Sequence, residues 1–247
     1  MTHFTTRWTT LSHLIADDRK REHVYSFFDA MFQSKYGTDK VKIRQLVSGV
    51  ELEELSSARI RLYAQRKKYY ETLFGNIYAV DEIDTRSFIF AFYYEDRIVG
   101  TQRVTPYPHE APRYIEAERL QGFVAPGYPG NCVEFSRLII DKTSPVKGAV
   151  DALASTAGAM VALNTPFSQY ITYVKPRLQE RFTQFSFDQD ALLFQISERG
   201  DHPYALFKGN LLSAVINFFK IDCRPEDLTS MDVLIDLISR THFAEAL

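Results

Sequence analysis

The sequence predicts an α/β fold, in which helices cover both faces of a mixed central sheet and further helices lie at the two ends of the chain. Apolar residues recur at helical spacing in the first and last parts of the sequence, whereas the middle changes to short segments rich in β-branched and aromatic residues. Strands then alternate with helices, which is typical of a mixed sheet covered by helices. With 247 residues, 45% of them hydrophobic, the chain is long enough to bury a sizeable core.

Two long helices are predicted ahead of the main part of the sheet. Residues 10–36 carry apolar side chains at roughly helical spacing, and Gly37 ends this helix. The partly alternating segment 41–47 indicates a short strand. A second helix is predicted over residues 53–74 and ends at Gly75, because glycine readily adopts the left-handed conformation that closes a helix.

The middle of the chain predicts a β-hairpin. Residues 87–94 (SFIFAFYY) and 97–105 (RIVGTQRVT) are rich in β-branched and aromatic side chains, and Glu95 and Asp96 form the turn between them. Prolines then interrupt residues 107–130 repeatedly, so we expect a loop after the hairpin, with a short helix near residues 115–121.

The remaining elements complete the sheet and its helical cover. We expect strands over residues 133–140, 169–174 and 191–197, and helices over residues 146–163, 210–220 and 228–243. From this order we divide the chain into an N-terminal helical extension (1–50), a core (51–205) and a C-terminal helical extension packed on the core (206–247).

The composition argues against several classes of protein. Lysine and arginine number 29 and aspartate and glutamate 31, a formal net charge of −2, whereas a dedicated nucleic-acid binder is usually basic. No apolar run approaches the length of a membrane span, and the start, MTHFTTRW, lacks the basic and apolar regions of a secretory signal. The two cysteines, Cys132 and Cys223, cannot build a disulfide framework or a multi-cysteine zinc site. We therefore expect a cytoplasmic protein with no nucleic-acid partner and no integral membrane association.

A glutamate within an apolar strand is the strongest chemical signal in the sequence. Because side chains alternate along a strand, Glu134 shares one face with Cys132 and Ser136, and Arg137 lies on the other face. A carboxylate in such surroundings is costly unless it is paired or used, and burial raises its pKa towards that of a general base. Glu134 is therefore either a general base or one half of a structural ion pair, with Arg103 as a candidate partner.

Charged residues elsewhere offer further candidates. Asp81 and Asp84 precede the hairpin and form either an acceptor for a cationic amine or a solvated turn. The predicted helix that carries Arg59 and Arg66 has a basic face, which either steers an acidic partner or is simply solvated. The loop 141–149 carries two lysines ahead of a helix start, where backbone N–H groups favour anions. The histidines show neither an HExxH motif nor close pairing, so no metal site is expected.

A series of short motifs in the middle of the chain resembles that of a known enzyme family. DEID (81–84), VGTQRVTP (99–106), a proline-rich loop and VEFSRLIID (133–141) follow one another. This series is similar to that of the acyl-homoserine-lactone synthases, which make quorum-sensing autoinducers, and of the related long-chain N-acyl amino acid synthases. The resemblance covers residues 59–141 well and residues 146–197 in element order only. It implies a GNAT-like acyltransferase fold for the core.

The resemblance implies three groups of site residues. Glu134 is the general base in an open pocket, and Arg103 and Ser136 are the other catalytic residues. The acceptor pocket is formed by Asp81, Asp84, Arg66, Tyr70 and Arg137. The loop after the VEFSRLIID strand binds the phosphopantetheine of the acyl donor through Lys142, Thr143, Ser144, Lys147 and Gly148.

The resemblance also implies an activity and its partners. The donor is a fatty acyl thioester on acyl carrier protein or CoA, the acceptor is the amine of an amino acid or a derivative, and no cofactor is tightly bound. The homoserine-lactone synthases carry a tryptophan in the segment that helps to bind S-adenosylmethionine, whereas here the only tryptophan is Trp8. Three hypotheses follow: an N-acyl amino acid synthase, a homoserine-lactone synthase with S-adenosylmethionine as co-substrate, and a non-catalytic protein that binds acyl groups or acyl carrier protein.

Overall fold

The described part of the chain contains seven strands and six α-helices. The computed structural model describes residues 12–38, 40–65, 80–124, 127–178, 190–197 and 202–242. The strands are β1 (Val41–Leu46), β2 (Phe88–Tyr94), β3 (Arg97–Pro106), β4 (Cys132–Ile140), β5 (Gln169–Val174), β6 (Leu192–Gln195) and β7 (Pro203–Asn210). The helices are α1 (Asp18–Tyr36), α2 (Gly49–Ala64), α3 (Ala117–Val124), α4 (Ala149–Asn164), α5 (Leu211–Phe219) and α6 (Met231–His242).

These strands form one mixed sheet, in the order β1–β2–β3–β4–β5–β7–β6. Only β4 and β5 pair in parallel, and the other neighbours in this order pair antiparallel. The connection between the two parallel strands passes through α4, because a parallel pair needs a crossover long enough to return the chain to the same end. The predicted mixed α/β sheet is confirmed.

The β2–β3 hairpin forms where the sequence predicts it. Glu95 and Asp96 at its tip have φ angles of 52° and 61°, the left-handed conformation that a two-residue hairpin turn of the favoured hand requires at both positions. Their side chains contact β1 and the residue before it: Glu95 forms an ion pair with Lys40, and Asp96 with Lys42. The turn therefore also fixes the edge strand against the hairpin.

The ends of the first two helices follow from their capping residues. α1 begins after Asp17, whose carboxylate accepts from the N–H of Lys20, and it ends at Gly37 in the left-handed conformation, as predicted. Its start lies eight residues after the predicted one. α2 begins after Ser48, which forms a capping box with Glu51, so it starts earlier than predicted. The predicted end of this helix at Gly75 lies outside the described residues.

Helices cover both faces of the sheet, as expected. On one face, Phe28 of α1 and Leu153 of α4 belong to the main apolar core together with Phe92 of β2, and α5 and α6 pack into the same core. On the other face, Leu52 of α2 and Leu120 of α3 lie in two smaller clusters. Burying one such side chain contributes about 1.5–3 kcal/mol. The polar site described below lies on this second face.

The sheet contains residues from all three predicted parts of the chain, 1–50, 51–205 and 206–247. β1 lies within residues 1–50, and β7, which the sequence analysis misses, spans the division between residues 205 and 206. The domain boundaries themselves stay a prediction. Within the residues that the structure describes, no helix combines the length and apolar character needed to cross a bilayer.

Candidate active site

The two parallel strands in the middle of the sheet separate. They pair over only four positions, from Cys132 to Phe135 on β4 and from Gln169 to Thr172 on β5. Beyond this point β5 stays with β7, and β4 stays with β3. Among the described strands, the separation leaves the last part of β4 without a strand partner on its β5 side. Glu134 lies just before the opening.

A β-bulge in β4 lies beside this opening. Ser136 pairs with Arg103 and Ile139 pairs with Thr101, so β4 has one more residue than β3 between these positions. Arg137, in the bulge, has a φ angle of 55°, a conformation that non-glycine residues adopt mainly where the surrounding structure imposes it. Arg137 and Ser136 both reach the charges around Arg103. The strict alternation that places them on opposite faces is therefore wrong at this position.

Glu134 is fully buried, with 0% of its surface exposed. Its Oε2 accepts hydrogen bonds from the backbone N–H groups of Glu110 (2.7 Å) and Ala111 (2.9 Å). Its Oε1 is also buried and accepts no hydrogen bond from any residue that the structure describes. The expectation that this side chain faces an open pocket is wrong, because the surrounding protein encloses it. An unsatisfied buried acceptor costs about 1–3 kcal/mol, so Oε1 is a favoured position for a hydrogen-bond donor.

The surroundings of Glu134 make it a base near neutral pH. Burial raises its pKa to about 7, and the negative charge of Glu110 acts in the same direction. The two backbone hydrogen bonds and the positive charge of Arg103 oppose this change without outweighing it. A carboxyl group whose pKa lies near the working pH is well suited to accept and return a proton.

Arg103 is the centre of a buried ion-pair network. Its Nε donates to the hydroxyl of Ser136 (3.1 Å), its Nη1 to Asp81 (2.8 Å) and its Nη2 to Glu110 (2.6 Å). Asp81 accepts a second charged hydrogen bond, from Nη2 of Arg137 (2.7 Å). The network brings together Arg103, Ser136, Asp81 and Arg137, all of which the sequence analysis names as site residues.

Asp84 extends the same network into the interior. It accepts from Nη1 of Arg59 at 2.7 Å and lies 3.5 Å from Nη1 of Arg103. Burial opposes its ionisation, but the two guanidinium groups outweigh burial and lower its pKa to about 2. Asp84 has 0% of its side chain exposed and Asp81 has 23%, so the solvated turn considered for this pair does not form. Asp81 is the acid of the two that a small molecule can reach.

The basic helix face is smaller than the sequence suggests. Arg59 is fully buried in its ion pair with Asp84, because α2 packs this side against the sheet, and it adds nothing to the surface charge. Arg61 is partly buried and donates to the carbonyl of Ile98. Arg66 and Tyr70, named for the acceptor pocket, lie outside the described residues.

The loop between β4 and α4 contains the residues predicted to bind the acyl donor. The hydroxyl of Thr143 donates to Asp141, and the hydroxyl of Ser144 accepts from the N–H of Val146. These two side chains thus help to fold the loop. Lys142 is exposed, and its backbone N–H donates to the side chain of Gln65. Donor binding by these residues stays a prediction.

Lys147 and Gly148 lie at the end of this loop, beside a surface cavity. Lys147 lines the cavity, which has a volume of about 350 Å³, together with Lys35, Tyr36 and Tyr94. Gly148 precedes the first residue of α4 with a φ angle of 80°, and a Cβ there would lie 2.8 Å from the hydroxyl oxygen of Tyr36. The backbone conformation favours glycine, and any larger residue would also have to displace the Tyr36 hydroxyl.

An apolar cleft lies on the opposite face of the sheet from Glu134. Phe135 and Tyr170 form its floor, and the small residues Ser155 and Gly158 of α4 leave room above them. Val215 of α5 contributes to the side of the cleft. Because Phe135 follows Glu134 directly, the cleft reaches the sheet at the point where β4 and β5 separate.

Two residues of the proline-rich loop are buried although the sequence does not predict it. Glu110 is 3% exposed and His109 4%. Nε2 of His109 lies 3.0 Å from the carbonyl of Cys132, which can only accept, so this nitrogen carries the proton and Nδ1 accepts from the hydroxyl of Tyr128. Burial lowers the pKa of His109 to about 4, which keeps the ring neutral. A loop position between prolines gives no periodic signal from which burial could be predicted.

Comparison with solved structures identifies the fold. The AHL synthase LasI is 18% identical with a TM-score of 0.52, covering 74% of this chain and 98% of its own. A protein assigned as an N-acetyltransferase from Lactobacillus plantarum is 13% identical with a TM-score of 0.51, covering 70% of this chain and 99% of its own. FeeM, an N-acyl amino acid synthase from uncultured soil microbes, is 14% identical with a TM-score of 0.48, covering 73% of this chain and 94% of its own. No protein-family model and no curated protein sequence matches the chain. The chain has a GNAT-like fold.

Proposed function

We propose that the protein is an N-acyltransferase. It moves a fatty acyl group from a thioester, on acyl carrier protein or CoA, to the amine of an amino acid or an amino-acid derivative. The observation that carries this proposal is the buried Glu134, whose pKa is raised to about 7, whose Oε1 accepts no hydrogen bond from a described residue, and which lies where β4 and β5 separate. The GNAT-like fold and the resemblance of the motifs around Asp81, Arg103 and Glu134 support it.

Glu134 acts as the general base of this reaction. The acceptor ammonium group loses one proton to Glu134, and the resulting neutral amine attacks the carbonyl carbon of the thioester. As the carbon–sulfur bond breaks, a second proton passes from nitrogen to the leaving thiolate, and Glu134 then releases its proton to solvent. Because Glu134 is enclosed, the proton reaches Oε1 through an intervening water molecule. Backbone N–H groups of β4 beyond Phe135 stabilise the oxyanion of the tetrahedral intermediate.

The two substrates bind on different faces of the sheet. The acyl chain occupies the apolar cleft beside Phe135, and the phosphopantetheine runs towards Lys147 and Gly148 at the start of α4. The acceptor lies on the other face beside the ion pair between Asp81 and Arg137, where its ammonium group approaches the partly exposed Asp81 and its carboxylate approaches Arg137. An amino acid carries both of these charges, which favours it as the acceptor.

The direct test combines purified protein with acyl thioesters of acyl carrier protein or CoA and a panel of amino acids, with mass spectrometry of the products. We expect an N-acyl amino acid, and a loss of roughly 10²–10⁴-fold in Glu134→Gln. Glu118→Gln removes the same charge from an exposed position on α3 and is the matched control. Full activity in Glu134→Gln would refute the proposed base.

The same assay separates the two alternatives. With S-adenosylmethionine as the acceptor, an acyl-homoserine lactone as the product would identify an autoinducer synthase. Binding of acyl thioesters with no product from any amine would identify a non-catalytic acyl-binding protein.

A further inference from the structure

Glu110 makes contact with both principal groups of the site. It lies in the proline-rich loop and is almost fully buried. Its backbone N–H donates to Oε2 of Glu134 at 2.7 Å, while its own Oε2 accepts from Nη2 of Arg103 at 2.6 Å. The hydroxyl of Tyr114 donates to its other oxygen at 3.2 Å. The side chain is thus held by hydrogen bonds on both oxygens.

These contacts determine which positive and negative charges act on the carboxylate of Glu134. The positive charge of Arg103 acts on Glu134, but the side-chain hydrogen bonds of Arg103 within the described part of the chain go to Ser136, Asp81, Asp84 and Glu110, and none goes to Glu134. From the residues that the structure describes, Glu134 receives two hydrogen bonds, both from neutral backbone groups. The positive charge of Arg103 is therefore shared among other acids, and the negative charge of Glu110 is placed beside Glu134.

We propose that Glu110 is a positioning residue that keeps Glu134 a strong base, by holding the guanidinium group of Arg103 away from it and by adding a like charge beside it. This inference rests on the proposed function only for its catalytic meaning, because the contacts themselves are independent of any reaction. Without the Glu110 carboxylate, Arg103 has a free donor to offer to Glu134, and the ionised form of Glu134 becomes easier to form.

The other ionisable groups around Glu134 do not replace Glu110. Arg103 approaches from β3, Cys132 lies on the same face of β4, and Tyr128 lies in the loop before β4. Burial raises the pKa of the Cys132 thiol to about 12 and raises that of the Tyr128 hydroxyl, so both are neutral near pH 7. Glu110 and Arg103 are therefore the charged groups of this set that act on Glu134.

The experiment measures the titration of Glu134 without turnover. In infrared spectra of the protein recorded from pH 4.5 to 9, the band of a protonated buried carboxyl group is assigned to Glu134 by its loss in Glu134→Gln. We expect its midpoint to fall by about one pH unit in Glu110→Gln. Glu110→Met removes the same charge with a different volume and is expected to do likewise, so either variant that folds by circular dichroism provides the measurement.

Two controls separate charge from packing. Glu110→Asp retains the charge in the same loop, and Glu118→Gln removes a charge from the exposed face of α3; both are expected to keep the midpoint within about half a unit of the wild type. A midpoint unchanged in Glu110→Gln and Glu110→Met overturns the proposal, as does an equal fall in Glu110→Asp.

The pH–rate profile gives a second readout that loss of structure would not imitate. The acidic limb of Glu110→Gln is expected to move by the same amount to lower pH, with higher relative activity below pH 6 and lower activity above pH 8. A uniform loss at all pH values contradicts the proposal. If the wild type and all variants are inactive but the infrared midpoint still falls in Glu110→Gln, the proposed function is rejected. The effect of Glu110 on the pKa of Glu134 would then still stand.

Discussion

The free energy of unfolding of Glu134→Gln is expected to rise relative to that of the wild type as the pH increases. The reason is that the variant lacks a carboxyl group that is buried away from solvent. Burial raises the pKa of Glu134 from 4.5 to about 7. The folded protein therefore binds this proton more tightly than the unfolded chain does. The stability that this provides is fully present below pH 4.5 and is lost as the pH rises through about 7.

The size of the effect follows from the change in pKa. One pKa unit corresponds to about 1.4 kcal/mol, so between pH 5 and pH 8.5 the wild type should lose about 2 to 3 kcal/mol relative to Glu134→Gln. A constant offset is also expected, since the glutamine amide places a donor where Oε1 now lies without a partner. This offset cancels when the two pH values are compared.

Urea unfolding at several pH values from 5 to 8.5 measures the free energy of unfolding for both proteins. All other ionisable groups are common to the two, so their titration drops out of the difference. A difference that stays constant within about 0.5 kcal/mol over this range would refute the reasoning, because it would mean that Glu134 titrates at the same pH in the folded and unfolded chains.

Three further outcomes follow from the same structure. Arg59→Ala should lower the free energy of unfolding, measured in urea, by about 3 kcal/mol or more, because it removes the ion-pair partner of the buried Asp84 carboxylate. Arg97→Ala, at an exposed position, should change it by less than about 0.5 kcal/mol. Ser155→Leu should fill the apolar cleft and shorten the acyl chains used from a mixture of thioesters, and an unchanged product distribution would contradict the assigned acyl site. Thiol labelling of the native protein at pH 7.5 should modify Cys223 first, and Cys132, whose pKa burial raises to about 12, only after unfolding; rapid modification of Cys132 would show that it is accessible.

Elements with a strong local pattern could be predicted from the sequence. The hairpin follows from two aromatic and β-branched segments around Glu95 and Asp96, and the end of α1 follows from Gly37. β7 was missed because Pro203 begins it and Gly209 lies near its end, so that its apolar run is short and resembles a loop. Its place between β5 and β6 depends on pairing with distant strands, and local sequence does not record such pairing.

Some residues of the site could be named from the sequence, because short motifs place charged side chains on or beside neighbouring strands. Asp81, Arg103 and Ser136, each named from such a motif, lie within hydrogen-bond distance in one cluster, and their roles in catalysis stay predictions. The orientation of Arg137 was not, because the bulge that changes it arises from the register between two strands. Glu110 was missed for a related reason, since its burial depends on how the proline-rich loop folds over β4.

The split between β4 and β5 has a consequence for kinetics. An acyl chain in the cleft and an amine beside Asp81 would approach the reacting carbon from opposite sides, and neither would have to leave before the other arrives. Direct transfer within a ternary complex suits such a site better than an acylated enzyme intermediate does. Double-reciprocal plots of initial velocity should accordingly intersect instead of running parallel.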